Sequence, residues 1–338
     1  MLSAVYKGIN KIDIEERDIP EISRDEVLLK VKSAAICGTD VKTFFKGHPL
    51  FTPPCVLGHE FSGIIDRVGK NISRFRPEER VVCTPYIECG NCDNCKNKLG
   101  EICKNKSFVE GAFSEYLKIP DKIVQRGIIP LNSKVSFEVA TLVEPLACSL
   151  NGIQRLKFKV KNKKILVIGG GPMGLLVSLA LKQLSCDPVI SEISEERIEF
   201  AQELGIKVIS SKETNLGKFV ENYTNSRGMD AVIVALAIPQ IVEEAFLYVK
   251  DGGVVEIFGG LPKDSSLKIN PFLIHYKEID LIGNFGFSSK HFKDAYEMIS
   301  SAPDLFEKLI TQRYELKDIK KAFHDIYEKK VIKAVINF

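Results

Sequence analysis

One stretch near the middle of the chain restricts the possible folds more than any other. Gly169-Gly170-Gly171-Pro172-Met173-Gly174 follows an apolar run at 164–168 and leads into apolar residues at helical spacing as far as 184. A G-x-G-x-x-G turn between a strand and a helix has a physical reason at each glycine. Gly169 permits the tight turn, Gly171 lets the backbone approach a pyrophosphate, and Gly174 lets the helix pack close to the strand. Pro172 and Met173 open the helix, whose positive end suits phosphate groups. Glu192 stands eighteen residues after Gly174, at the end of a second strand (188–191). A carboxylate there accepts hydrogen bonds from adenosine ribose hydroxyls and repels a 2′-phosphate, which favours NAD over NADP. Arg197 lies nearby and offers a phosphate partner instead, the reading that would admit NADP.

Around this loop strands and helices alternate. Strands are expected at 164–168, 188–191, 230–236, 253–258 and 280–283, with helices at 172–184, 195–204 and 239–249. Ser194 caps the second helix, and Glu195 and Glu196 favour the positive end of its dipole. Such an order builds an α/β domain, a parallel sheet covered on both faces. The first 145 residues differ: short apolar segments at 27–33, 60–68, 80–84 and 113–119, punctuated by Gly, Pro and Asn, suggest a small, partly open barrel. Residues 137–156 have helical spacing broken by Pro145 and would bridge the two parts. The tail from about 284 adds two amphipathic helices and a last strand at 331–338 that would pair back onto the barrel. With 338 residues, too many for one ordinary core, two domains are expected: 1–146 with 284–338, and 147–283.

Charge and composition exclude several classes. The net charge of +3 is spread without blocks of like sign, which argues against nucleic-acid and anionic-membrane partners. The Lys-rich stretch 157–164 reads as solvated loop. No apolar run approaches the ~18 residues of a membrane helix, and residues 1–6 are too short for a secretory signal. A cytoplasmic protein is the resulting expectation.

Four of the nine cysteines lie close together, as Cys89-x2-Cys92-x2-Cys95-x7-Cys103. Four thiolates complete the tetrahedral shell of zinc, and such closed sites are structural. An iron–sulfur cluster competes, but the long last spacing and the lack of a second cluster motif favour zinc, in a lobe at about 86–105. Away from it stand Cys37 and His59, with Glu144-Pro145 at the domain junction. Singly each reads as packing. Beside a dinucleotide loop, cysteine, histidine and carboxylate are the ligand types of a catalytic zinc with one position left open.

These residues resemble the zinc-dependent medium-chain alcohol dehydrogenases, especially the sorbitol (polyol) and threonine dehydrogenase branch. The resemblance runs along essentially the whole chain: Cys37-Gly38-Thr39-Asp40, Gly58-His59-Glu60, the cysteine lobe, Gly111-Ala112-Phe113-Ser114-Glu115-Tyr116, Glu144-Pro145-Leu146 and the glycine loop. It implies a GroES-like barrel carrying two zinc ions, catalytic and structural, with an inserted Rossmann domain and a reactive cleft between them. Cys37 and His59 would bind the catalytic zinc, and Glu60 is a direct ligand in sorbitol dehydrogenase-like members. Glu144 stands where liver-type alcohol dehydrogenases carry a second cysteine, and would bind the metal directly or through water. Cys148 reads as packing.

The implied reaction is oxidation of a secondary alcohol: zinc makes the alcohol easier to deprotonate and its carbon gives a hydride to C4 of the nicotinamide. Thr39 would take the alcohol proton; its alternative is a turn hydroxyl bonded to its own backbone. Where many members carry a relay histidine this chain has Val41, Lys42, Thr43 and Phe44, and His48 does not fit by spacing. The relay then runs through Lys42, or through Glu144 and water. The substrate expected is a polyol or sugar-like alcohol. The carboxylate Glu60 weakens zinc's pull, which suits a polyol chelating through two oxygens. Alternatives are L-threonine 3-dehydrogenase, a general alcohol dehydrogenase and a non-catalytic scaffold of the same fold. Phe44, Phe45, Phe51 and Phe113 read as apolar pocket walls or as barrel core. A homotetramer or homodimer is implied, with the sixth Rossmann strand, near 280–285, as its pairing edge.

Overall fold

The structure, a computed structural model, describes residues 1–338. The chain forms two compact units, Met1–Ala147 with Phe287–Phe338, and Cys148–Gly286. In chain order the first holds β1 (Leu2–Gly8), β2 (Lys11–Glu16), β3 (Val27–Ala35), α1 (Gly38–Lys46), β4 (Cys55–Val56), β5 (Glu60–Val68) and β6 (Arg80–Cys83). There follow β7 (Tyr86–Ile87), α2 (Asp93–Lys96), β8 (Ser107–Phe108), β9 (Tyr116–Ile119), α3 (Asp121–Arg126), β10 (Ile128–Pro130), α4 (Phe137–Ala140) and α5 (Val143–Arg155), which runs on into the second unit. The second unit contains β11 (Ile165–Ile168), α6 (Pro172–Gln183), β12 (Val189–Glu192), α7 (Glu195–Glu203), β13 (Lys207–Ser210) and α8 (Leu216–Thr224). It continues with β14 (Met229–Val234), α9 (Pro239–Ala245), β15 (Val249–Ile257), α10 (Pro271–His275) and β16 (Asp280–Gly283). The chain then returns with α11 (Ser289–Ser301), α12 (Pro303–Glu307), β17 (Ile310–Glu315), α13 (Ile319–Tyr327) and β18 (Lys333–Asn337).

The first unit is built on a sheet of order β10-β6-β5-β3-β18-β17, with β9 also on β3, and a smaller sheet β2-β1-β4. The last strand does pair back, antiparallel to β3. Register decides which side chains meet. Ala35 faces both Glu60 on β5 and Val335 on β18, so Lys333, two residues before Val335, falls on the same sheet face as Glu60. That face also carries Ser33, Ser62 and Asn337, and it lies under α4: Ser62 Oγ donates to the Phe137 carbonyl at 2.6 Å and Asn337 Nδ2 to Glu138 Oε1 at 2.8 Å. The opposite face supplies Ala34, Phe61 and Ile336 to an apolar core with Phe44, Phe113 and Phe323. Phe44 and Phe113 are therefore core, and Phe45 and Phe51 pack against it. The pocket-wall reading is set aside for Phe44 and Phe113, whereas Phe45 and Phe51 keep part of their surface exposed.

The second unit is a parallel sheet of order β13-β12-β11-β14-β15-β16. Leu166, Val189, Val232, Val234 and Val255 pack in one of its apolar clusters. The order reverses beside β11, and ligands of open α/β sheets bind at the carboxyl ends of strands at such a point.

Several elements differ from the sequence reading. The helical stretch 137–156 is interrupted at Thr141 and Leu142, while Pro145 sits in the first turn of α5. There its missing N–H costs nothing. The helix expected at 239–249 ends at Ala245, and β15 begins at Val249. β13, α8 and β17 were not expected. The two strands are short, and β13 is nowhere fully buried. The chain leaves the second unit after Gly286, past the 283/284 junction read from sequence, because Asn151 of α5 donates to Asn284 Oδ1 at 2.7 Å and to the Gly286 carbonyl at 2.9 Å. No helix is long and apolar enough to cross a membrane.

Candidate active site and metal lobe

Cys37 ends the β3 connection as the N-cap of α1, its sulfur accepting the Thr39 N–H at 3.5 Å. Asp40 Oδ2 accepts the Cys37 N–H at 3.0 Å, and Oδ1 accepts the Gly58 N–H at 3.2 Å and lies 3.4 Å from His59 Nδ1. One buried carboxylate thus caps the helix, pins the turn before β5 and orients the imidazole. A side chain on Gly58 (φ +95°) would press on the Phe113 ring at 3.1 Å, so the core fixes this turn from below. Glu60 is the first residue of β5. Donor atoms of Cys37, His59 and Glu60 lie within 4.8 Å of one another. Ligands at about 2.0–2.3 Å from a single zinc fit that spacing. Glu60 is buried, and neither of its oxygens accepts a hydrogen bond in the protein; Oε2 makes an ion pair with Lys333 Nζ at 2.5 Å. A buried carboxyl without donors is either protonated or paired with a cation, and beside a thiol and an imidazole within ligand spacing the cation reading fits.

Electrostatics here are strongly coupled. Burial disfavours the charged form of His59, but Asp40 and Cys37 outweigh it and hold its pKa well above the ordinary value. Burial likewise opposes the charge on Lys333, and Glu60 and Cys37 hold its pKa up. Glu144, in the first turn of α5, is pushed up to about 7, first by burial and then by Glu60 and Asp40, with His59 and Lys333 opposing. The Thr39 hydroxyl does not bond to its own backbone: the Thr39 carbonyl accepts from Thr43 Oγ1 at 2.7 Å, and the side chain itself is half-buried without a partner. Lys42 is exposed, and His48 Nδ1 accepts the Leu50 N–H at 3.3 Å. Asp40 and Lys333 are the two members of this constellation that sequence reasoning did not assign.

The four-cysteine lobe closes on itself. Sulfur separations are 3.4 Å (Cys92–Cys95), 3.5 Å (Cys89–Cys103), 3.7 Å (Cys92–Cys103) and 3.9 Å (Cys89–Cys95). A zinc with four sulfurs at about 2.3 Å has sulfur–sulfur edges of about 3.8 Å. The residues fit the ion. Backbone donors reach two of the sulfurs: Cys103 Sγ accepts N–H groups from Cys89 at 3.4 Å and Asn105 at 3.3 Å, and the Cys89 thiol is lowered to about 6 by the N–H groups of Asn91 and Cys92, while burial and Cys92 push the Cys95 thiol up to about 12.

In the second unit Gly169 adopts φ +107°, and a Cβ on Gly174 would stand 1.9 Å from the Gly169 carbonyl oxygen. Both glycines are demanded by the protein. Gly171 is not: a Cβ there would meet only the tip of Arg197, at 3.6 Å. The space above Gly171, at the N-terminus of α6 with Pro172 in its first turn, fits a pyrophosphate. Glu192 folds toward this loop. Its Oε2 accepts the Gly170 N–H at 2.7 Å, its Oε1 accepts the N–H groups of Ile193 at 2.6 Å and Ser194 at 3.1 Å, and Arg197 Nη1 lies 3.9 Å away. The residue expected to hold ribose therefore also braces the glycine turn.

A closed thiolate set, a separate three-donor set and a dinucleotide loop define a metal-dependent dehydrogenase. Comparison with known proteins agrees. Residues 23–130 match the alcohol dehydrogenase GroES-like domain family and residues 137–338 the glucose dehydrogenase C-terminus family. The chain is 30% identical over 332 residues to a sorbitol dehydrogenase of Bacillus subtilis, covering 95% of this chain and 92% of that protein. It is 28% identical to an L-threonine 3-dehydrogenase of Rhizobium etli, covering 96% and 94%. The solved structure of 2R,3R-butanediol dehydrogenase from Bacillus subtilis superposes with a TM-score of 0.89 at 26% identity, covering 100% and 99%. The chain belongs to the zinc-dependent medium-chain alcohol dehydrogenase family and is an oxidoreductase.

Proposed function

We propose that the chain oxidises a secondary alcohol of polyol or sugar-like type to a ketone and passes the hydride to NAD. The observation that carries this is the convergence of Cys37, His59 and Glu60 within 4.8 Å; Glu144 lies outside that set and is linked to it by its charge interactions with His59 and Glu60. Zinc bound there supplies Lewis acidity toward the substrate hydroxyl. Cys37, His59 and Glu60 hold the ion, Asp40 aims the imidazole, and Glu144 is either a further ligand or the holder of a water. The partner-free Thr39 hydroxyl takes the alcohol proton. Glu144 is a buried carboxyl at the site whereas Lys42 is exposed, and this favours the route through Glu144 and water over one through Lys42. Three carboxylate or thiolate ligands suit an alcohol with a neighbouring hydroxyl, and relatives acting on sorbitol and butanediol, both vicinal diols, support that class.

Glu192 favours NAD in two ways. It places negative charge beside the ribose position, and it engages Arg197, the cation a 2′-phosphate would need. The similarity to L-threonine 3-dehydrogenase supports a second substrate reading. We further propose a dimer formed through β16, which ends the sheet with β15 as its one neighbour. The test of function is absorbance at 340 nm with NAD, zinc-replete protein and a panel of polyols, L-threonine and simple secondary alcohols. A polyol leading the panel supports the proposal. Threonine leading it, or mono-alcohols turning over as well as diols, overturns the polyol assignment.

A further inference from the structure

Lys333 is a charged side chain only 5% exposed, delivered to the metal-ligand face by the last strand of the chain. Burying an ammonium group is costly unless it is paired. Its partner is Glu60 Oε2 at 2.5 Å, and it also feels the charge of Cys37 and Glu144. The two oxygens of Glu60 are inequivalent in their ion contact: Oε2 lies 2.5 Å from Lys333 Nζ, while neither oxygen accepts a well-aligned hydrogen bond. The strand register explains why this lysine reaches the ligand. Val335 and Glu60 both face Ala35, and Lys333 lies one side-chain repeat from Val335.

We propose that Lys333 is a positioning residue for the reaction metal: it reserves one oxygen of Glu60 and so limits that carboxylate to a single-oxygen ligand. The proposal rests on the zinc reading of this site. Its charge logic follows from the ligand set. Cys37 and Glu60 bring negative charge to the ligand set, Asp40 and Glu144 add carboxyls beside it, and Lys333 is the one buried lysine that meets this charge. Without the lysine, Glu60 is free to offer both oxygens and the site carries excess negative charge. The ion is then held more tightly and polarises the substrate less.

The test measures zinc release to a chromophoric chelator, with metal content, in wild type, Lys333→Met and Lys333→Arg, alongside NAD reduction. Wild type is expected to carry two zinc ions per chain, one released ahead of the four-cysteine ion. Lys333→Met is expected to slow that release about tenfold, the equivalent of 1.4 kcal/mol of added attraction between the ion and an uncompensated carboxylate, and to lower kcat with KM for NAD unchanged. Lys333→Arg is expected to restore the wild-type release rate. In the Glu60→Gln background Lys333→Met should change release far less, which separates action through Glu60 from a general loss of packing. Release that is unchanged or faster in Lys333→Met overturns the proposal, as does an equal effect in the Glu60→Gln background. A wild type holding one zinc per chain overturns the metal reading itself, and the proposal with it.

Discussion

Glu256 offers a test of the physical reasoning away from either metal site. It lies on β15 between Ile233 and Ile282 of the neighbouring strands, is fully buried, and neither carboxylate oxygen has a hydrogen bond. Its side chain fills the space over Gly152 of α5, where a Cβ would come within 2.6 Å of Oε1. Burial pushes its pKa from an ordinary 4.5 to about 8, with only the Arg155 charge opposing. The folded chain therefore keeps a proton that the unfolded chain gives up above pH 4.5. Stability should fall as pH rises from 4.5 to 8 and level off beyond. At 1.36 kcal/mol for each tenfold change in proton affinity, the full difference between 4.5 and 8 comes to about 5 kcal/mol. Glu256→Gln removes the proton linkage and keeps the shape. Thermal melts of the full chain at pH 5.5 and 8.5 should show wild type losing more than the variant. Between pH 5.5 and 8 the difference is about 3.4 kcal/mol, and at about 3 °C per kcal/mol even half of it moves the melting temperature by about 5 °C. Equal pH dependence in the two proteins would refute the argument that this carboxyl is buried without a partner.

Other consequences are more local. Cys103→Ser should leave one zinc per chain and make the 86–105 lobe susceptible to limited proteolysis, read by metal analysis and gel; retention of both ions would contradict a four-thiolate site. Asp40→Asn, which keeps the size of the residue but weakens its hold on His59, should loosen the reaction zinc about 10–100-fold in chelator competition while the lobe zinc stays. Glu192→Ala should lower the preference for NAD over NADP, in kcat/KM, by about tenfold, the equivalent of 1.4 kcal/mol. An unchanged ratio would show that Glu192 only braces Gly170.

What the sequence made legible was local. The glycine turn and the cysteine lobe each lie within a short stretch, so spacing alone exposes their geometry. Cys37, His59 and Glu60 came from motifs on two neighbouring elements joined by Asp40. Asp40 itself was quoted in its motif without a role, because nothing in the order of residues shows that its two oxygens are shared between Cys37, Gly58 and His59. Lys333 was hidden more deeply. It lies in the last strand expected at 331–338, just after Lys329 and Lys330, and the face its side chain takes depends on register between strands far apart in sequence. The half-exposed strand β13 lacks the apolar run that marked β11. The aromatic residues near Cys37 were ambiguous between pocket and core because hydrophobicity is the same in both; the sheet face decided it.

The most direct test of the account follows metal and turnover together. Zinc content and NADH formation at 340 nm would be measured in the same samples of wild type, His59→Ala and Cys103→Ser. The account predicts two zinc ions with activity in wild type and one zinc with no activity in His59→Ala. In Cys103→Ser it predicts one zinc with residual activity. Full turnover by His59→Ala carrying only the lobe zinc would contradict the assignment of the reaction to Cys37, His59 and Glu60.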